Sequence, residues 1–303
     1  MDFYKKLIKS KKLRFKILSA LRFIPDKPML KIQYRIKSGR KLNLKVPKRY
    51  TEKIQWYKLY YRDPLMKQCA DKYSVREYVE SKGLGHILND LYSVFNKPDD
   101  IDFSVLPQKA VLKLSNGSST NLLVKDKDEL NLEEVKQKFR DFYAQSGTSA
   151  GREWVYQSDE KPVIVAEQYL EDPSKLPGED LRDYKILCFN GKPEYIICVD
   201  GRHTDHYAHV VYDTEWNKKQ VVIGESSADG DYDRPDTLDR MLEIASTLSE
   251  PFPAARIDLY SIQGKIYFGE ITFFPWSGYM KFTPDEFDIE LGQKFSLPEA
   301  NVK

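Results

Sequence analysis

Residues Ala254–Gly278, AARIDLYSIQGKIYFGEITFFPWSG, read as two strand-like runs around a glycine-containing turn, and both runs carry acids among apolar and aromatic neighbours. Arg256 and Asp258 stand two apart in the first run, Glu270 and Thr272 two apart in the second. That spacing puts each pair on one face of a strand. Taking an acid out of water there is costly unless something compensates it. A divalent cation is the simplest compensation, because Mg2+ asks for hard oxygen ligands from one or two carboxylates, completed by substrate phosphates and water. Asp258 and Glu270 are the predicted ligands.

Whether the two acids share a face depends on the turn. A two-residue Gln263-Gly264 loop pairs Ile262 with Lys265 and sends the acids to opposite faces. A three-residue loop, Ile262-Gln263-Gly264, pairs Ser261 with Lys265 and sets Arg256 opposite Glu270, with Asp258 and Thr272 on the same side. The three-residue loop is therefore predicted, with Gly264 in the left-handed position its bulge requires. The plain alternative is a hairpin with a surface Arg/Asp/Glu ladder.

The surrounding 303 residues are 41% apolar and 13% aromatic, with 20 Tyr, which predicts a folded protein of two or three packed α/β layers. No run approaches a membrane span, and the N-terminus lacks the apolar core of a signal peptide, so cytoplasmic residence is expected. Cys69, Cys188 and Cys198 form no CxxC pair and fit reduced, buried thiols. The net charge of +2 is uneven: 17 Lys or Arg against 2 Asp give residues 1–49 a charge of +15 and leave −13 for the rest. A ligand of the basic end would be anionic, as a membrane surface, a lipid-linked pyrophosphate or an acidic glycan is. No nucleic-acid motif is legible.

Phe3–Phe23 spaces Leu7, Leu13, Ile17 and Leu21 between lysines as a helix would, and Lys31–Val46 reads as short basic strands around Ser38-Gly39. Thr51–Tyr61, opening like a capping box, and Asp71–Lys82, stopping at Gly83, are predicted helices. The second puts Lys72 and Arg76 on one face, where solvent or an acid is their expected neighbour. Ala110–Lys125 is strand, polar loop, strand: Lys113 ends the first strand, and Asn116-Gly117-Ser118-Ser119 can offer N–H groups and hydroxyls to an anion. Val163–Leu170 is a buried strand containing Glu167, Gln168 and Tyr169, followed by Glu171-Asp172. Asp183–Gly191 and Glu194–Val199 form a hairpin about Asn190-Gly191, with Asp183 and Lys185 on one face and Arg202 beyond its end. His203, His206 and His209 have HxxHxxH spacing, but strand alternation splits them and no fourth zinc ligand is evident. Pro235–Leu248 is an amphipathic helix leading into the acidic hairpin.

Bases in the first two-thirds and carboxylates in the last third make the inventory of a nucleoside-triphosphate and Mg2+ site, yet no GxxxxGK[ST] occurs. The stretches TEKIQWYKLYYRDPL, ADKYSVREYV, VLKLSNGSSTNLLVKDK, REWVYQ, AEQYLED, DYKILCFNGKP, RIDLY and GEITFFPWSGYMKFTP lie in order over about residues 48–295. Through them the sequence resembles the TupA-like branch of the ATP-grasp superfamily, found with teichuronopeptide and surface-polysaccharide synthesis. The resemblance implies an α/β (α+β) ATP-grasp fold holding a nucleotide between two lobes. It implies a basic helical extension (1–47), an N-terminal lobe (48–105), a central lobe with the phosphate-lid loop (106–170) and a C-terminal lobe with the metal site (171–303).

Carried over by motif, Lys113 resembles the strand lysine that contacts adenine and the α-phosphate, and Arg76 the base that reaches phosphate. Glu167, Gln168, Tyr169 and Leu170 resemble the adenine hinge, and Glu171 or Asp172 the ribose-binding acid. Lys185 and Arg202 are similar to the bases around the γ-phosphate, Arg256 to the arginine that stabilises the tetrahedral intermediate, and Asp258, Glu270 and Thr272 to Mg2+ ligands. Relatives commonly carry a His-Gly-Ser-Gly lid where this chain has Asn116-Gly117-Ser118-Ser119, and the wider superfamily often has Asn where Thr272 stands. The implied activity is ATP-dependent joining of a carboxylate, a sugar acid or acidic polymer unit, to an amine. A nucleotide-binding scaffold and a phosphotransferase remain the alternatives.

Overall fold

The computed structural model describes residues 20–118, 120–146, 151–157, 161–175, 180–201, 207–226 and 228–302. Helices α1 (Asp26–Ser38), α2 (Tyr50–Tyr60), α3 (Pro64–Ala70) and α4 (Val75–Ser81) come first. Strands β1 (Leu91–Phe95), β2 (Ala110–Leu114) and β3 (Asn121–Val124) are followed by helix α5 (Leu132–Gln145) and strand β4 (Ile164–Gln168). These four strands make an antiparallel sheet in the order β1-β4-β2-β3. Then come β5 (Asp183–Phe189), β6 (Lys192–Asp200), β7 (Ala208–Asp213), β8 (Lys218–Lys219) and β9 (Val222–Ile223). Helix α6 (Leu238–Ser249), β10 (Ala254–Ile262), β11 (Lys265–Thr272), β12 (Phe282–Thr283) and α7 (Glu286–Lys294) complete the chain. The second sheet is antiparallel, in the order β11-β10-β5-β6-β7-β8.

Each sheet is covered on one face and carries chemistry on the other. In the first, Ala110, Leu112, Leu114, Ile164 and Ala166 pack with Val135 and Phe139 of α5. The Asn131 side chain caps α5 by accepting from the N–H groups of Glu133 and Glu134, which themselves suit the positive end of the helix. Strand alternation turns Lys113 and Glu167 to the opposite face. In the second sheet, Ile186, Cys188, Ala255, Ile257 and Leu259 join a core with Met241, Ile244 and Leu248 of α6, and the Cys188 thiol points at the Ala245 carbonyl. Arg256, Asp258 and Lys185 are thereby turned to the other face. Helix α2 joins this core through Tyr50, Ile54 and Tyr57; the Tyr50 ring lies against Phe189 and the Tyr57 ring against Phe274 and Phe295. Strand β1, from the region expected as an N-terminal lobe, forms the edge of the first sheet.

The basic end departs from its predicted form. Residues 26–38, of which 31–38 read as strand, are helical, ending at a left-handed Gly39. Their periodicity explains it: Met29, Leu30, Gln33 and Tyr34 are the buried face, while Ile32 and Ile36, which look β-prone, are exposed. Arg152 pins the preceding turn by donating to the carbonyls of Leu21 and Ile24 and pairing with Asp26. The predicted helix at Phe3–Phe23 falls largely outside the described residues.

The decisive hairpin also corrects a prediction. Its loop has two residues, Gln263 (φ 49°) and Gly264 (φ 79°), and Ile262 pairs with Lys265. Asp258 nonetheless pairs with Glu270, and Arg256 with Thr272, because the register shifts between Asp258 and Leu259. One extra residue, Gly269, is absorbed there as a β-bulge and restores the shared face that the turn would have broken. A side chain does not fit: a Cβ on Gly269 would lie 2.9 Å from the Asp258 carbonyl oxygen. We expect Gly269→Ala to cost about 1–3 kcal/mol in chemical denaturation, with loss of nucleotide-dependent activity, because the backbone under Asp258 must move. Wild-type stability and activity in that variant would show that the bulge does not set the register.

Candidate active site

On the open face of the second sheet, β5, β10 and β11 bring five charged groups into contact. Arg256 Nε donates to Asp258 Oδ1 at 2.6 Å, and its Nη2 donates to Asp258 Oδ2 (2.7 Å), Glu270 Oε1 (2.8 Å) and Thr272 Oγ1 (3.0 Å). Thr272 Oγ1 donates in turn to Glu270 Oε1 at 3.0 Å. Lys185 pairs with Asp183 at 2.6 Å and with Asp258 across the β5–β10 register. Arg256, Asp258, Lys185 and Asp183 are buried, whereas the Glu270 side chain is 43% exposed. Burial pushes the Asp258 carboxyl up to about 6, aided by Asp183 and Glu270 and opposed by Arg256 and Lys185. For Glu270 the balance is reversed: the protein packed around it partly desolvates the carboxylate and would raise its value, but Arg256, Lys185 and Lys72 outweigh that and hold it at about 2.

The open face of the first sheet carries a second group. Lys113 Nζ lies 2.6 Å from Glu167 Oε2, to which Asn89 Nδ2 also donates at 3.2 Å. Arg76 reaches over from α4, donating to Asn89 Oδ1 (3.1 Å) and the Asn89 carbonyl (2.8 Å), with Glu167 at 3.9 Å. Burial would raise the Glu167 carboxyl, yet Lys113, Asn89 and Arg76 together hold it below the usual carboxylate range. Lys72 links the two groups. Burial lowers its pKa while the field of Glu270 opposes, with Lys113 and Glu167 also acting on it, and its ammonium donates to the Gly117 carbonyl in the β2–β3 loop at 2.5 Å.

The structure therefore gathers Asp258, Glu270, Thr272, Arg256 and Lys185 on one sheet face, and Lys113, Glu167 and Arg76 on another. Of the two neighbours expected for Lys72 and Arg76, solvent or an acid, the structure supplies acids: Arg76 lies 3.9 Å from Glu167, and Lys72 sits in the field of Glu270. Gln168 is tied to Asp90 by backbone and side-chain bonds, Tyr169 and Leu170 are half-buried, and Asp172 is folded onto Ser174 at the surface. Asn116 Oδ1 is buried without a hydrogen-bond partner beside Gly117 and Ser118. Ser119, Arg202, His203 and His206 lie outside the described residues. Both ring nitrogens of His209 are engaged, by Tyr207 (3.0 Å) and Ser226 (2.7 Å). An open cleft of about 510 Å3 beside α3 is lined by Lys67, Gln68, Asn116 and Lys161 and does not include Asp258, Glu270 or Glu167.

The donor set fits Mg2+ only when substrate completes it. Among the described residues no three His, Cys, Asp or Glu side chains form a ready-made cage. Both Asp258 oxygens are held by cations, while Glu270 is bonded through Oε1 to Arg256 and Thr272 and its side chain is partly exposed. One or two carboxylates with water and phosphate oxygens is the arrangement this metal commonly takes.

Sequence reading left out Asp183 as a site member, Lys72, Asn89 and Trp276. Asp183 was visible two residues before Lys185, and Lys72 four before Arg76. Asn89 has no local signal, since only the fold brings it to Glu167. Trp276, whose indole centroid lies 5.1 Å from the Arg256 guanidinium carbon, could be read only as part of an aromatic run.

A family model described as TupA-like ATPgrasp matches residues 52–296, and the chain belongs to that family. A search of curated proteins finds no match. Among solved structures, a D-alanine–D-alanine ligase from Bacillus anthracis is similar at 19% identity and TM-score 0.43, over 68% of this chain and 57% of that one. An N5-carboxyaminoimidazole ribonucleotide synthetase in its ADP complex gives 8% identity and TM-score 0.46, over 82% and 57%. An L-amino acid ligase from Bacillus licheniformis gives 16% and 0.43, over 79% and 51%. The chain thus spans little more than half the length of these solved structures. No described helix is long and apolar enough to cross a membrane.

The Glu167 environment has a measurable consequence. A carboxylate held below its unfolded value, about 4.3, contributes stability that is present above that pH and is lost as pH falls through the folded value. We expect Glu167→Gln to destabilise the protein by about 2 kcal/mol at pH 7, with the gap to wild type closing as pH drops below about 4. A gap that stays constant across that range would mean that Glu167 is not ion-paired.

Proposed function

We propose that the protein is an ATP- and Mg2+-dependent carboxylate–amine ligase. The observation that carries this reading is the grip of one buried arginine, Arg256, on Asp258, Glu270 and Thr272, on a sheet face that also holds Lys185. Family membership supplies the nucleotide. In this reading Lys113, Glu167 and the segment to Leu170 receive the base and ribose side of ATP, with Asp172 at the ribose. Arg76, Lys72, Lys185 and the Asn116–Ser118 loop surround the phosphates, joined by Ser119 and Arg202. Asp258, Glu270 and Thr272 would hold Mg2+, which supplies neutralisation of phosphate charge.

The protein's task is then to orient and to stabilise charge. A carboxylate oxygen of the acceptor attacks the γ-phosphorus, the bond to the ADP oxygen breaks, and an acyl phosphate forms. The amine attacks the acyl carbon and phosphate leaves with the amine's proton. Arg256, already desolvated and fixed, is placed to hold the oxyanion of the tetrahedral intermediate. We further propose a sugar acid or acidic unit of a capsular or cell-surface polysaccharide as the carboxylate, and an amino acid or simple amine as its partner. The basic residues 1–49 would work at an anionic membrane surface or lipid-linked glycan on the cytoplasmic side. The family resemblance and the charge asymmetry support these assignments. ADP release that requires both a carboxylate and an amine separates the ligase from a silent scaffold and from a kinase acting on hydroxyls.

Two experiments test the reading. Arg256→Lys keeps the charge but loses the planar fork, so turnover should fall by about 100-fold or more while Mg·ATP affinity changes little, whereas Glu270→Gln should weaken both. Near-normal turnover in Arg256→Lys would remove its catalytic role. Deleting residues 1–24 should spare ATP binding and weaken sedimentation with anionic vesicles, a difference that shrinks as salt rises because screening acts over about 10 Å at 0.1 M. A salt-independent loss would indicate packing instead.

A further inference from the structure

Trp276 and Ser277 occupy left-handed backbone, with φ of 47° and 54°, in the turn that follows the Glu270 strand. Residues with full side chains rarely adopt it, and where they do the surroundings hold them there. Here the hold comes from α2. Gln55 Nε2 donates to the carbonyls of Ser277 (3.0 Å) and Gly278 (2.9 Å), and Lys58 Nζ donates to those of Ser277 (2.7 Å) and Gly151 (2.8 Å). Ser277 Oγ donates to Glu153 Oε1 at 2.6 Å. Lys58 is 1% exposed, and its nearest acid, Glu153, is 4.0 Å away, so a charge is buried largely to satisfy backbone carbonyls. That is a costly way to fix one turn.

What the turn presents is a row of rings ending at Arg256. The Trp276 indole lies 5.1 Å from the Arg256 guanidinium carbon and 5.7 Å, edge to face, from His209. His209 meets the Tyr207 ring at 4.8 Å. Trp276 and Tyr207 are each 37% exposed, unlike the aromatic rings packed in the core beneath. Rings with polar edges, open to solvent next to a fixed cation, suit a ligand that has a flat C–H face, hydroxyl groups and an anionic end.

We propose that the Tyr207–His209–Trp276 row is the acceptor subsite, that it takes a carboxylate borne on a saturated hydroxylated ring, and that Lys58 is the positioning residue that holds Trp276 in place. The inference rests on the ligase reading above. The ring lies along Trp276, and its carboxylate points to Arg256, where the acyl carbon must react. Lys58 touches no substrate and acts through the turn.

The test uses the full chain with ATP, Mg2+ and hydroxylamine as the amine, which attacks the acyl phosphate to give a hydroxamate and releases phosphate. Glucuronate and galacturonate are compared with gluconate, an open-chain acid with similar hydroxyls. The uronates should give hydroxamate at least about tenfold more efficiently than gluconate, and Trp276→Leu and Lys58→Met should each raise the uronate KM about tenfold with the ATP KM unchanged. Trp276→Phe should fall between. If Lys58→Met does not fold, the Trp276 variants decide the subsite. In parallel, uronate is titrated into the protein with Mg2+ and a non-hydrolysable ATP analogue, following indole fluorescence against Trp276→Phe. Equal use of gluconate, or an unchanged uronate KM in Trp276→Leu, overturns the subsite and leaves the ligase standing. A saturable, uronate-dependent fluorescence change that disappears with the Trp276 reporter in Trp276→Phe, without hydroxamate from any acid, upholds the subsite and overturns the ligase. Neither binding nor hydroxamate overturns both.

Discussion

The guanidinium of Arg256 holds Asp258, Glu270 and Thr272 at once, and the open face of the second sheet depends on that grip. Three carboxylates, Asp183, Asp258 and Glu270, meet two cations, Arg256 and Lys185, with Lys72 acting from α4's side. Removing any one partner from so buried a set would leave a charge unpaired, which is far more costly than the pair is favourable. The network is therefore fixed only if all its strands keep register. Within the network the acids and bases pair with one another: Lys185 is shared by Asp183 and Asp258, while Lys72 donates to the Gly117 carbonyl.

Two backbone devices keep that register. The Gln263-Gly264 turn sets the hairpin one residue out of phase with the site, and the Gly269 bulge sets it back. Parity in the sequence correctly showed that a plain two-residue loop separates the acids. It then supplied the missing residue in the turn rather than in the strand, because Gly269 reads as an ordinary strand glycine. A glycine at a bulge and a glycine inside a strand look alike until the partner strand's carbonyl is in view. The shared face was legible from the chemistry, since two acids and an arginine inside apolar strands have few acceptable environments. The route to it was not.

The same division runs through the rest of the chain. Strands β2, β4, β5, β6 and β10 and helix α6 were legible, because apolar period and turn residues such as Asn190-Gly191 specify them locally. Helix α1 was misread since its exposed Ile32 and Ile36 imitate strand composition, and its burial depends on Leu42, Leu44 and Leu59 from outside the helix. Lys72 and Arg76 were placed on one face correctly, yet which way that face looks is decided by Asn89, Glu167 and Gly117. Long-range partners of a charged residue leave no local trace.

Helix α2 is present where the sequence predicts a helix, but what it buries was not legible. It lacks an apolar stripe because it is surrounded: Thr51, Glu52, Gln55 and Lys58 are buried along with Tyr50, Ile54 and Tyr57. Each polar member answers a backbone or side-chain group elsewhere. Thr51 bonds Asp288, Glu52 accepts from the N–H groups of Lys48 and Arg49, and Gln55 and Lys58 hold the Ser277 carbonyl. Periodicity cannot register such a helix, since what it buries is hydrogen-bonding capacity as much as apolar area. That capacity is used in the turn it supports: Gln55 and Lys58, together with the Ser277–Glu153 bond, hold a left-handed Trp-Ser pair and with it the indole beside Arg256.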